Sequence, residues 1–114
     1  MVSRAHRIEP YLLANKYVDG VPYANRVINL SESGIALRNG VEPDHGDSNR
    51  IMVELVLDDS KAGLWVECER VRVADAQCEA LKFVKMSVPN RLIVRKFIDT
   101  FVVEKEMDSA ILNG

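Results

Sequence analysis

A small antiparallel β-barrel of six strands, with one C-terminal helix packed on or beside it, is the architecture this sequence predicts. Three observations predict it. The chain has 114 residues, one domain's length and enough to bury a core without disulfides or metal. Up to residue 86 it breaks into short runs rich in Val, Ile, Leu and Tyr, each bounded by Gly, Pro, Asp, Asn or Ser, the pattern of short strands joined by turns. After Ser87 the apolar period lengthens from two to that of a helix. A single domain over 1–114 is expected, with 1–8 a flexible leading segment, 9–86 the barrel and 89–106 the helix.

The elements follow in order. Residues 8–18 form the first expected strand, ended by Asp19-Gly20, and 23–30 and 35–38 the next two. Residues 39–49 hold Gly40, Pro43, Gly46 and the acids Glu42, Asp44 and Asp47, which mark a surface loop. In 51–58, Ile51, Val53, Leu55 and Leu57 alternate with their neighbours as in a strand with one apolar face, and 59–63 is a turn. Beyond it, Leu64, Val66 and Cys68 are even-numbered but Val71 and Val73 odd. A bulge near Glu69-Arg70 would produce that switch, because one extra residue exchanges the two faces. The sixth strand is expected at 80–86.

In the helix, Ile93, Phe97 and Phe101 fall four apart beside Val94, Ile98 and Val102, while Arg91, Arg95, Lys96 and Asp99 tend to the other side. Ser87 suits the cap and Pro89 the first turn. Leu92 and Val103 lie off the stripe and could serve a dimer or partner surface, and 107–114 is expected to fray.

Composition narrows the function. With 47% hydrophobic and 28% charged residues the chain reads as globular, and a formal charge of -2 disfavours a general nucleic-acid binder. No apolar run reaches the roughly 20 residues of a membrane span, and no secretory h-region follows the basic start, so a cytoplasmic location is expected. Cys68 and Cys78 have no metal-type spacing and read as free thiols in a reducing compartment. His45 lacks convergent ligands for a metal, Glu67 and Glu69 read as solvated, and Trp65 as a core or rim aromatic rather than a base-stacking platform. No nucleophile triad, P-loop or dinucleotide fingerprint occurs, so neither enzymatic activity nor a bound cofactor is expected.

The most informative stretch is NLSESG, residues 29–34. A plain hairpin would use Asn-Gly or Asp-Gly. Here Asn29 and Ser31 are two apart, so on an extended chain both leave the same face, and Gly34 permits a backbone placement that a side chain would block. The set is either a hydrogen-bonding shelf or good turn chemistry.

This stretch matches the D/N-x-S-x-x-G signature, and in it the chain resembles PilZ domains, bacterial modules that bind the second messenger cyclic di-GMP. The family's other signature, R-x-x-x-R, lies 20 to 30 residues upstream at the barrel mouth. The corresponding stretch is Ser3-Arg4-Ala5-His6-Arg7, in which Arg7 fits the second arginine, Ser3 stands at the first, and Arg4 is the neighbour that could substitute.

The resemblance implies a six-stranded PilZ-type barrel that binds cyclic di-GMP through Arg4, Arg7, Asn29, Ser31 and Gly34, with Ser3, His6 and Arg70 as further contacts. Guanidinium forks match the O6 and N7 acceptors of guanine and also bind phosphate, so two arginines on a leading segment would clamp the ligand against the barrel. Asn29 in place of Asp both donates and accepts, whereas a carboxylate would bind the guanine N1 and N2 donors more strongly. The implied role is a monomeric or weakly dimeric receptor in motility or biofilm control, which orders its leading segment on binding and signals to an unidentified protein effector. The alternative is a degenerate member that binds no nucleotide and acts as an interaction adaptor, with Ser3 the feature favouring it.

Overall fold

A computed structural model describes residues 7–40, 49–57, 62–75 and 77–113, with side chains except at 72–75 and 105–113. Six strands precede one helix: β1 Leu13–Val18, β2 Val21–Leu30, β3 Gly34–Arg38, β4 Arg50–Leu55, β5 Leu64–Asp75, β6 Cys78–Lys85 and α1 Val88–Asn113. The strands close into an antiparallel barrel in the order β1-β2-β3-β6-β5-β4. Closure removes both sheet edges.

Alternation fills the interior. Ala14 and Val18, Val27 and Leu30, Ile35 and Leu37, Ile51, Val53 and Leu55, Val66 and Cys68, and Leu81 all point inward and are buried. At one barrel end, Val94 and Ile98 of α1 join this core, with Leu12, Leu57, Leu64, Met86, Phe97 and Phe101 packed against it. Arg95 reaches Glu32 of the β2–β3 loop at 3.3 Å, an exposed pair across the same end. The Ser87 hydroxyl caps the helix by accepting from the Asn90 amide at 3.2 Å.

Several boundaries differ from the sequence expectation, each for a local reason. The first strand begins at Leu13, because Pro10 has no N–H to offer a ladder. Ile8 instead forms an isolated bridge to Leu30, with both backbone bonds at 2.9 Å, and is buried, so the last residue of the expected flexible segment belongs to the core. β2 starts at Val21 because Asp19 and Gly20 take φ of 52° and 80°, a tight hairpin turn of the kind that matches strand twist. The fourth strand ends at Leu55, and the sixth runs from Cys78 to Lys85.

The expected bulge is present one residue on, at Val71, and further register shifts occur between Glu67 and Cys68, between Val73 and Asp75, and around Ile28 in β2. The helix runs on to Asn113, past the expected fraying point. Ile93, expected on the buried stripe, is 46% exposed, because the stripe centres on Val94 and Ile98. His45 lies outside the described residues.

Away from the helix, the interior turns polar. Lys16, Asn25 and Glu79 are buried. The Glu79 carboxylate accepts from Lys16 Nζ at 3.1 Å and from Arg70 Nε at 2.7 Å, and Lys16 also donates to Asn39 Oδ1 at 3.4 Å. Asn25 Nδ2 donates to the Arg38 carbonyl at 2.9 Å. An apolar face at one end and a fixed ion cluster at the other specify register, since a one-residue slip would turn both inside out.

Removing one member of such a cluster leaves a charge in low dielectric. Glu79→Ala is expected to lower unfolding free energy by about 3–5 kcal/mol in urea denaturation. The double replacement Lys16→Met with Glu79→Leu should cost less than the single change. A single-variant loss under about 1 kcal/mol would mean that Lys16 is hydrated after all.

Candidate functional site

The outer wall over the seam between β3 and β6 carries only small residues along its middle. Across this seam Gly34 pairs with Lys82 and Ala36 with Ala80. A groove of about 570 Å³ lies there, floored by Gly34, Ala36, Cys78 and Ala80 and bounded by Ile28, Asn29, Val71 and Lys82. That volume falls in the range of ordinary small-molecule sites. It lies on the side of the barrel, not at the mouth where sequence reasoning set it. The bulge at Ile28 is the cause: Asn25 and Val27 face inward, the extra residue breaks the alternation, and Ile28 and Asn29 both face out before Leu30 returns to the core.

Arg7, Asn29, Ser31 and Gly34 all line this groove. Arg7 is placed by its neighbour: Ile8 is locked to Leu30 by two antiparallel backbone bonds, so Arg7 emerges opposite Ser31. Ser31 makes the turn. Its amide donates to the Gly34 carbonyl at 2.9 Å, its hydroxyl reaches the same oxygen at 3.4 Å, and it accepts from the Ser33 amide at 3.3 Å. The turn reading of NLSESG is realised in these bonds, and Ser31 also lines the groove.

Gly34 is needed for space. Its φ is not in the left-handed region, but a Cβ there would stand 2.5 Å from the Leu81 carbonyl oxygen. The residue lets β3 approach β6, and the bare seam becomes the groove floor.

The remaining expected residues are placed differently. Arg70 is directed to Glu79 in the polar interior and does not line the groove, whereas Val71, the bulge residue, does. Ser3, Arg4 and His6 lie outside the described residues. Trp65 is an outer-wall residue, 46% exposed and packed on Tyr17 with ring centroids 5.0 Å apart. Lys82 is the groove residue that sequence reasoning missed. Its signal is only legible once β3 and β6 are known to be partners, because 48 positions separate it from Gly34.

The two cysteines, both free, differ in setting. Cys68 is enclosed in the barrel, and burial, followed by the Glu67 and Glu79 charges, pushes its thiol from 9.0 up to about 12. Cys78 is half-buried in the groove floor.

A closed six-stranded barrel thus carries a cation-flanked groove on its outer wall. Residues 2–100 match the PilZ domain family, and the chain belongs to it. Among curated proteins no sequence match is found.

Solved structures share the fold at low identity. The inhibitor of motility MotI/DgrA from Bacillus subtilis superposes with TM-score 0.75 at 11% identity, over 92% of this chain and 53% of that one. The chain thus spans about half of that protein. The PilZ domain of YcgR from Escherichia coli, solved with c-di-GMP, gives 0.72 at 14% identity, covering 96% and 98% of the two chains. PlzA from Borreliella burgdorferi, in complex with c-di-GMP, gives 0.60 at 12% identity over 84% of this chain and 41% of that one.

Two outcomes follow from the thiols. At neutral pH iodoacetamide should alkylate Cys78 and leave Cys68 intact in the folded protein, as read by peptide mass spectrometry. Burial of the neutral Cys68 thiol contributes its full stability below pH 9.0, and that contribution is withdrawn as pH rises toward about 12, because the unfolded chain ionises first. Cys68→Ala should therefore flatten the alkaline fall in stability by up to about 1.4 kcal/mol per pH unit above pH 9.

Proposed function

We propose that the chain is a cytoplasmic receptor for cyclic di-GMP that works by binding alone and passes the signal to a protein partner. The observation that carries this reading is the convergence of Arg7, Asn29, Ser31 and Gly34 on one groove. The groove's chemistry agrees with the ligand. A bare floor accepts a flat base. The Asn29 side chain makes no hydrogen bond among the described residues and keeps its amide for a guanine edge or phosphate.

Arg7 and Lys82 bring positive charge to the same groove, while the Glu79 carboxylate is engaged inside by Lys16 and Arg70. Ligand phosphates and guanines would draw the leading segment, with Arg4 and Arg7, over the groove, and the partner would read the rearranged surface. The fold shared with an inhibitor of motility supports motility among the regulated processes. Ser3 in place of an arginine favours a second reading, an adaptor that binds its partner without nucleotide.

Calorimetric titration separates them. Saturable heat with cyclic di-GMP is expected, and its absence at tens of micromolar ligand rejects the receptor reading. Arg7→Ala should cost about 1.5–3 kcal/mol of affinity as a charged hydrogen bond is lost, and Lys82→Gln should weaken binding less while flattening its salt dependence. Bound nucleotide should also slow alkylation of Cys78 in the groove floor. Pull-down of one partner with and without nucleotide tells a relay from a nucleotide-independent adaptor.

A further inference from the structure

Helix α1 has two faces of different chemistry. Val94 and Ile98 enter the barrel core, with Phe97 and Phe101 packed beside them. On the opposite face Leu92, Lys96, Asp99 and Val103 follow one another at spacings of 4, 3 and 4, the repeat that lines up one stripe for a second helix. Leu92 is 56% and Val103 53% exposed, and Lys96 and Asp99 between them are exposed too. Lys96 and Asp99 are three apart, a spacing that permits an ion pair within the helix. Yet among the described residues neither of them makes one.

The stripe is complementary to itself about its own midpoint. Turned end for end, a second copy sets Leu92 against Val103 and Lys96 against Asp99, and the two-fold makes each pairing twice. Side by side in the same direction, two copies would instead oppose lysine to lysine and aspartate to aspartate, so the charged centre selects the antiparallel arrangement. The helix ends agree with it. With no acidic residue in its first turn and no basic residue in its last, α1 leaves its dipole without a complement at either end. An antiparallel neighbour supplies one.

We propose that this face docks a second copy of the chain, the two α1 helices packed antiparallel about a two-fold axis level with residues 97 and 98. Other occupants fit worse. A lipid surface would bury Lys96 and Asp99 without partners, and a foreign helix would have to carry the same order of apolar and charged residues reversed. Because the face is turned away from the core, the two barrels sit on the outer sides of the helix pair. Leucine–valine layers around a charged centre make a small interface, so the association is reversible. The inference stands whatever the groove binds.

The test is sedimentation velocity of the whole chain over a rising concentration series. A monomer–dimer equilibrium is expected, weakened by salt and weakened at least about 10-fold by Lys96→Asp, by Asp99→Lys or by Leu92→Ala. The decisive arm is a mixture. Lys96→Asp chains and Asp99→Lys chains should associate with each other more tightly than either does with itself, and the double variant Lys96→Asp with Asp99→Lys should regain the original association. All these positions are exposed, so circular dichroism should show the helix retained. A chain that stays monomeric throughout, a dimer indifferent to either charge reversal, or a mixture no tighter than its separate components would overturn the proposal.

Discussion

The seam between β3 and β6 is the constraint on which the rest depends. These strands are far apart in sequence, and their pairing, with that of β1 and β4, joins the two halves of the barrel. The approach is close enough that any side chain at position 34 would collide with the Leu81 carbonyl. One missing Cβ thus serves two ends. It allows the barrel to close, and it leaves the outer face of the seam bare, where the facing Ala36 and Ala80 add no height. Elsewhere the outer wall carries long residues such as Met52, Glu54, Trp65 and Glu67, which fill the space a ligand would need.

The charge arrangement follows from the same strands. Glu79 lies on β6 between two groove-lining positions, yet alternation turns its side chain inward, where Lys16 and Arg70 hold it. A carboxylate on the outer face would oppose an anionic ligand. Inside, it instead offsets the desolvation of Lys16, an exchange whose worth lies more in fixing register than in net stability. The outer face of β6 presents Lys82 beside Gly34.

The fold was largely legible because it rests on periodicity. Alternation in β4, the Asp19-Gly20 turn and the helix after Ser87 are local signals that tertiary structure did not override. What was misread depends on contacts that no local window contains. Pro10 cut the first strand, while Ile8 paired beyond it with Leu30. The bulge at Ile28 moved the Asn29 shelf from the mouth to the side wall, and apolar alternation alone could not reveal it, since Asn25 is an inward amide in an otherwise apolar series. Arg70 was implied by the resemblance, but its side chain turns to Glu79 on the next strand. Lys82 had no motif at all and acquires meaning only from pairing with Gly34.

A closed barrel has little freedom to change shape, because each strand is bonded on both sides and the interior is packed. The leading segment is joined to that core. Among the described residues its attachment is Ile8, held by two backbone bonds to Leu30 and by burial in the core. Fixing a residue costs about 1–2 kcal/mol of backbone entropy. Ile8 carries that cost in the folded protein already, so Arg7 begins one bond away from a fixed point at the groove edge.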